Sequence, residues 1–261
     1  MEATGGYERE VLYLLAAEGF ALALANPRHV RRFAEALGYL EKTDRIDAAV
    51  IAQFAQIRRL PRWTPDGENL RRLSAQVLRL RQLTEMRAAE MNRRRLVKDE
   101  QVLASFTQVM ALFSREIKTL EASIAALIAA DSVWSKLDAA FRTIKGVADR
   151  TVARLMADLP EIGTLSSKAV AKLVGLAPMA RDSGKSTGKR PVRGGRSSVR
   201  DILFLVASIT AKYDPELKAF YERLSKAGKP KKVVLIAVAR KLLVRLNAKA
   251  REVLTKTPLC S

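Results

Sequence analysis

ENLRRLSAQVLRLRQLTEMRAAEMNRRR, residues 68–95, decides the fold class of this 261-residue chain. Leu73, Val77, Leu80, Leu83 and Met86 recur at spacings of three and four, the period of an amphipathic helix. The next stretch, EQVLASFTQVMALFSREIKTLEASIAALIAA over residues 100–130, repeats the pattern with Phe113, Ile117, Leu120, Ile124 and Leu127. Neither Gly nor Pro occurs anywhere in residues 68–130. Two long helices are therefore expected, as a hairpin or an intermolecular coiled coil, with a scaffolding arm as the plainest role. Arg93, Arg94 and Arg95 fall at the tip, where they form either a solvated turn or a contact to a nucleic-acid backbone.

Upstream, residues 1–60 alternate between helix and strand signals. Residues 7–19 and 29–37 read as helices, with Gly38 as a stop, and residues 43–57 as a third. Between them Phe20-Ala21-Leu22-Ala23-Leu24 is a continuous apolar run, expected as a buried parallel strand, and Asn26-Pro27 marks a turn. This order predicts a small α/β part in an otherwise mostly α chain. Gly5-Gly6 sits where a strand would hand over to a helix. Only residues 1–4 are then left of that strand, and the strands beside it are expected to be missing. Residues 61–131 are assigned to linker and arm.

Downstream, residues 132–250 read as a second helical domain, followed by a tail over 251–261. Residues 141–159 carry a glycine turn between two helical stretches, as in a helix-hairpin-helix, where turn amides grip a phosphate. An ordinary helix–turn–helix corner fits that stretch equally well. Residues 180–198 are different: four glycines and a run of Lys and Arg, with almost no apolar side chain to build a core. Glycine permits close backbone approach and arginine offers bidentate contacts, so Arg181, Lys185, Lys189, Arg190, Arg193, Arg196 and Arg200 are candidate nucleic-acid contacts. A P-loop is excluded at Gly184-Lys185-Ser186, because its first glycine would stand where Met179 is.

Charge supports this assignment. The chain holds 47 Lys and Arg against 27 Asp and Glu, a net charge of +20. Residues 181–261 alone hold 20 Lys and Arg against 6 Asp and Glu. Such an excess attracts polyanions and drives counterion release from nucleic acid. No stretch is long and apolar enough for a membrane span, and residues 1–6 do not resemble a secretion signal, so a cytoplasmic, nucleoid-associated location is expected. Cys260 is the only cysteine, which leaves no intrachain disulfide, and His29 is the only histidine. Any metal would have to be held by carboxylates, which favours a hard cation such as Mg²⁺. Thr43 is a good N-cap, and Asp44 and Asp47, three apart, share a helix face. With Glu2 at a strand end they make three carboxylates for an oxygen site.

Taken together, these stretches resemble a known family. Glu2-Ala3-Thr4-Gly5-Gly6-Tyr7, Asn26-Pro27-Arg28 and Lys42-Thr43-Asp44-Arg45-Ile46-Asp47-Ala48 are similar to the RuvC-like (RNase H-like) domain of the DEDD transposases of the insertion-sequence 110/116/902 group. Leu173-Val174-Gly175-Leu176-Ala177-Pro178, Asp182-Ser183-Gly184, Gly194-Gly195-Arg196, Phe220-Tyr221 and Gly228-Lys229-Pro230 are similar to its C-terminal domain. The resemblance implies that Glu2, Asp44 and Asp47 are metal ligands and catalytic acids. It makes Ser183 the nucleophile that joins covalently to a DNA phosphate. It also implies DNA as substrate, a structured bridge RNA as guide, and a homo-oligomer that completes each site between subunits. The family pattern has a further Asp on a first strand, which this chain is expected to lack. Two alternatives stay open: a competent recombinase, and a catalytically inactive nucleic-acid-binding relic. A tyrosine recombinase using Tyr213 or Tyr221 is disfavoured, since that chemistry needs a His- and Arg-rich centre.

Overall fold

The computed structural model describes residues 1–41, 43–180, 188 and 190–256. The chain divides into two compact units, Met1–Gly67 and Glu68–Ser261.

The first unit contains α1 (Arg9–Ala17), α2 (Pro27–Ala36) and α3 (Asp44–Ile57). Asn26 caps α2 by accepting from the Arg28 amide at 3.0 Å, and Pro27 occupies the first turn, where no amide is needed. Thr43 caps α3 as expected, its Oγ1 accepting from the Ile46 amide at 3.3 Å. Val30 and Ala34 of α2 meet Val50 and Phe54 of α3 over Ala25, and the Phe33 and Phe54 rings meet edge to face at 5.5 Å.

The strand expected over residues 20–24 does not form. Its residues carry no ladder, and Phe20 is 60% exposed. The parallel pairing shrinks to a single bridge, Glu2 with Ala25. Within it the Ala25 amide donates to Met1 O at 2.8 Å and the Ala3 amide to Ala25 O at 3.1 Å. The physical reason is the missing partner: among the described residues no further strand flanks the pair, and a lone ladder cannot offset its ordering entropy.

Among its described residues the second unit is helical apart from one isolated antiparallel bridge. Glu68–Arg94 (α4) and Glu100–Ala130 (α5) pack side by side as a hairpin. Leu73, Val77, Leu80 and Leu83 face Ile117, Ile124 and Ile128, and Asp99 caps α5 at the Val102 amide. Met86, expected on the same stripe, is exposed instead, and the buried stripe of α4 ends at Leu83.

Then follow α6 (Ser132–Arg142), α7 (Asp149–Asp158), α8 (Ser167–Val174), α9 (Ser197–Tyr213), α10 (Pro215–Lys226) and α11 (Lys231–Lys256). The base of the hairpin and these helices share one core, in which Leu73 of α4 and Leu246 of α11 are both fully buried. α11 runs through its middle against α6, α8, α9 and α10. Buried Asn247 cross-links distant parts of the chain. Its Oδ1 accepts from the Gly163 amide and its Nδ2 donates to Leu165 O, both at 2.9 Å. Satisfied in both directions, it fixes the approach to α8 without a buried polar penalty.

Candidate nucleic-acid interface

Two places collect the residues that the sequence singles out. In the first unit, Glu2 and Asp47 line one shallow depression together with Arg28, Arg31 and Val50. The bridge to Ala25 positions Glu2, and the capped first turn of α3 positions Asp47, whose amide donates to Thr43 O at 2.8 Å. Asp44 belongs to the same turn but not to the wall of the depression. Among the described residues no three His, Cys, Asp or Glu side chains come together as a metal-holding group. A three-carboxylate ion site is therefore not assembled by these side chains. Arg28, singled out in the sequence only as part of the Asn26-Pro27-Arg28 motif, and Arg31, not singled out there, are the additional neighbours. Their spacing of three, on the helix that follows Asn26-Pro27, is the signal that could have found them.

The second place is the base of the basic stretch. Ser183, Arg181, Lys185 and Lys189 lie outside the described residues. The two ends of the stretch are well placed. Pro178 bridges antiparallel to Val192, with the Met179 amide donating to Pro191 O at 3.0 Å. One turn below, Gly175 ends α8 in the left-handed region (φ 79°), and Gly195 (φ 67°) lies directly against its backbone. A Cβ on either glycine would press into main-chain atoms of the other segment. Gly195, one of the glycines that looked suited to wrapping a phosphate, thus helps to hold the two ends of the segment together.

Of the described cations, Arg190 and Arg193 are exposed. Arg196 and Arg200 are engaged in holding the segment. Arg196 donates through both terminal nitrogens to Glu161 at 2.6 Å and to Asp158 O at 3.0 Å, and Arg200 donates to Gly194 O. Glu161 had no part in the sequence expectation. No periodicity links it to Arg196, because the pair is made by packing across 35 residues of chain. Burial pushes the Glu161 carboxyl up, but the Arg196 guanidinium and a backbone donor outweigh it and hold the group below the usual carboxylate range.

That shift has a sign. A depressed acid stabilises the fold above its unfolded value, near pH 4.3, and the benefit is lost as pH falls through the folded value. Arg196→Gln is expected to destabilise the protein by about 1 kcal/mol at pH 7, a modest figure because both partners are partly solvated. The difference from the parent should shrink below about pH 4. Urea denaturation of both proteins at pH 7 and pH 3.5 measures it.

The glycine turn between α6 and α7 exists. The Val147 amide donates to Ile144 O at 3.1 Å, and Ile144 and Val147 are buried. Gly146 faces α9, where an added Cβ would meet Ile209 and Thr210. Asp149 stands at the start of α7 and pairs with Arg142 at 2.6 Å, so a carboxylate already occupies the vicinity of the free amides.

No helix among the described residues is long and apolar enough to cross a membrane. Comparison with known proteins gives a consistent picture. A family model described as "Transposase IS116/IS110/IS902 family" matches residues 138–222, and an IS110 DEDD transposase model matches residues 1–99. The chain is 27% identical to the pilin gene-inverting proteins of Moraxella lacunata and Moraxella bovis, over 97% of its own length and 79% of theirs. It is also 29% identical to the insertion element IS110 uncharacterized 43.6 kDa protein of Streptomyces coelicolor, over 58% of this chain and 37% of that one. Two models of one group, matched in order over residues 1–99 and 138–222, lead with the IS110 relative to one conclusion: this protein belongs to the IS116/IS110/IS902 family of transposases.

Proposed function

We propose that this chain recombines DNA through Ser183, carried on the basic segment between Pro178 and Val192. The observation that carries the proposal is the closure at that segment's base. Gly175 against Gly195, with Arg196 on Glu161, joins the two ends of a segment whose sequence is polar and cationic. The relatives named for inverting a pilin gene support a reaction that exchanges strands within DNA.

In this reading the Ser183 hydroxyl attacks a DNA phosphorus. A serine–phosphate ester forms and a deoxyribose hydroxyl leaves. The hydroxyl of the other strand then attacks the ester, restores a phosphodiester and frees Ser183. The number of phosphodiester bonds is conserved, so no energy-supplying cofactor enters. Arg181 and Lys185, neighbours of Ser183 in sequence, would offset charge on the pentacoordinate phosphorus. Serine is a weak nucleophile and needs a base or a charge to activate it.

Mg²⁺ would find two carboxylates, Glu2 and Asp47, at one depression, and further oxygen donors would have to come from elsewhere. A RuvC-like architecture for the first unit, a coiled-coil role for α4 and α5, a structured guide RNA and a composite site in a homo-oligomer belong to the same proposal. They rest on family membership.

Binding is tested by titration. Affinity for duplex DNA and for a structured RNA should fall steeply with salt, with log K against log[salt] sloping at about −4 or steeper. A flat profile, or no binding at low salt, would contradict the proposal.

A further inference from the structure

Beside the base of the basic segment lies a groove of about 420 Å³, between the Pro178–Val192 bridge and helices α10 and α11. Its walls are apolar, with Pro178, Val192, Phe220, Val233 and Ile236 among them. Three cations, Arg190, Arg240 and Lys241, share the lining, and among the described residues no carboxylate does. Two other grooves of the second unit include Asp or Glu in their walls. Lys241 is held by Glu216 at 2.8 Å and lies over the Phe220 ring at 4.9 Å, which fixes that wall. Val233 is half exposed on the first turn of α11, beside Lys231 and Lys232, where the helix dipole adds further positive potential.

An apolar floor under a rim of three cations, one of which, Lys241, is paired with Glu216, selects among occupants. A second copy of this chain carries a net charge of +20 and would be repelled by that rim. A paired duplex supplies phosphates but hides its base faces in the stack. An unpaired nucleotide supplies both surfaces: flat apolar faces for the walls and flanking phosphates for the cations.

We infer that this groove binds an unpaired nucleobase of the nucleic acid held by the basic segment, with Arg190 and Arg240 taking the adjoining phosphates. The inference rests on the nucleic-acid reading above and gives Phe220 a role as a wall of the base site. Unstacking a paired base costs a few kcal/mol, so strands with a base already unpaired are favoured.

The test compares binding of the full chain to two short duplexes by fluorescence anisotropy. One is fully paired, and the other carries a single unpaired 2-aminopurine. The parent is expected to prefer the second by about ten-fold, with a change in 2-aminopurine emission. Val233→Trp fills the groove from an exposed position without changing charge. It should reduce the preference to within about two-fold and leave paired-duplex affinity unchanged. Arg240→Gln should reduce the preference as well. Equal parental affinity for the two duplexes, or a preference that survives both substitutions, overturns the inference while leaving nucleic-acid binding intact. Loss of preference accompanied by a change in molar mass by light scattering assigns the groove to self-association and also overturns it. Absence of binding to either duplex removes the nucleic-acid reading and this inference together.

Discussion

Gly195→Ala is expected to lower stability by about 3 kcal/mol or more, and Gly194→Ala by only about 1 kcal/mol. The two glycines are adjacent and both lie in the left-handed region, at φ 67° and 73°. Backbone strain for a non-glycine residue is therefore similar at both. The difference is space. A Cβ at Gly194 meets nothing within 4 Å, whereas one at Gly195 runs into the Gly175 amide nitrogen and Leu173 O. These are main-chain atoms of the α8 terminus, which cannot swing aside as a side chain can. Relief would separate the two ends of the basic segment and break the Arg196 amide to Leu173 O bond of 2.9 Å. Urea denaturation of the two variants and the parent measures the gap. Equal losses at the two sites would show that the close approach to Gly175 does not hold the segment.

Ser183→Ala is expected to abolish strand exchange, by at least about a thousand-fold, while salt-dependent DNA binding stays within about two-fold of the parent. Removing a nucleophile eliminates the covalent step, whereas the phosphate contacts proposed for Arg190 and Arg193 do not depend on that hydroxyl. Exchange and anisotropy assays on the two proteins separate these effects. Full exchange by the variant would move the chemistry to another residue. No exchange by either protein, with binding intact, would assign the chain to the catalytically inactive alternative.

The helices were legible where their signals were local. Spacings of three and four found α4 and α5, Thr43 marked a helix start and Gly38 a stop, whereas Asn26-Pro27, expected as a turn before a helix at residue 29, is itself the capped start of α2. The apolar run at residues 20–24 misled because it satisfies strand composition, whereas a strand also needs a neighbour to bond with, which no local window reports. Within the site, the closure by Gly175 and Gly195 was invisible for the same reason. Glycine in a basic loop suits both a phosphate and another backbone, and only the fold brings residues 175 and 195 together. Arg196 shows the same ambiguity: its fork suits a phosphate, yet here it is matched to Glu161. Charge identified the region correctly as one rich in cations. Which cations face outward depends on where the acids lie.

Ser183 is proposed to carry the bond to DNA. This is tested most directly by trapping the reaction on a substrate whose second strand cannot complete the exchange, digesting the protein, and locating the nucleotide adduct by mass spectrometry. A single adduct, on Ser183, is the expected result. An adduct on Ser186, Ser197, Ser198, Tyr213 or Tyr221, or exchange that proceeds with no adduct at all, would contradict it.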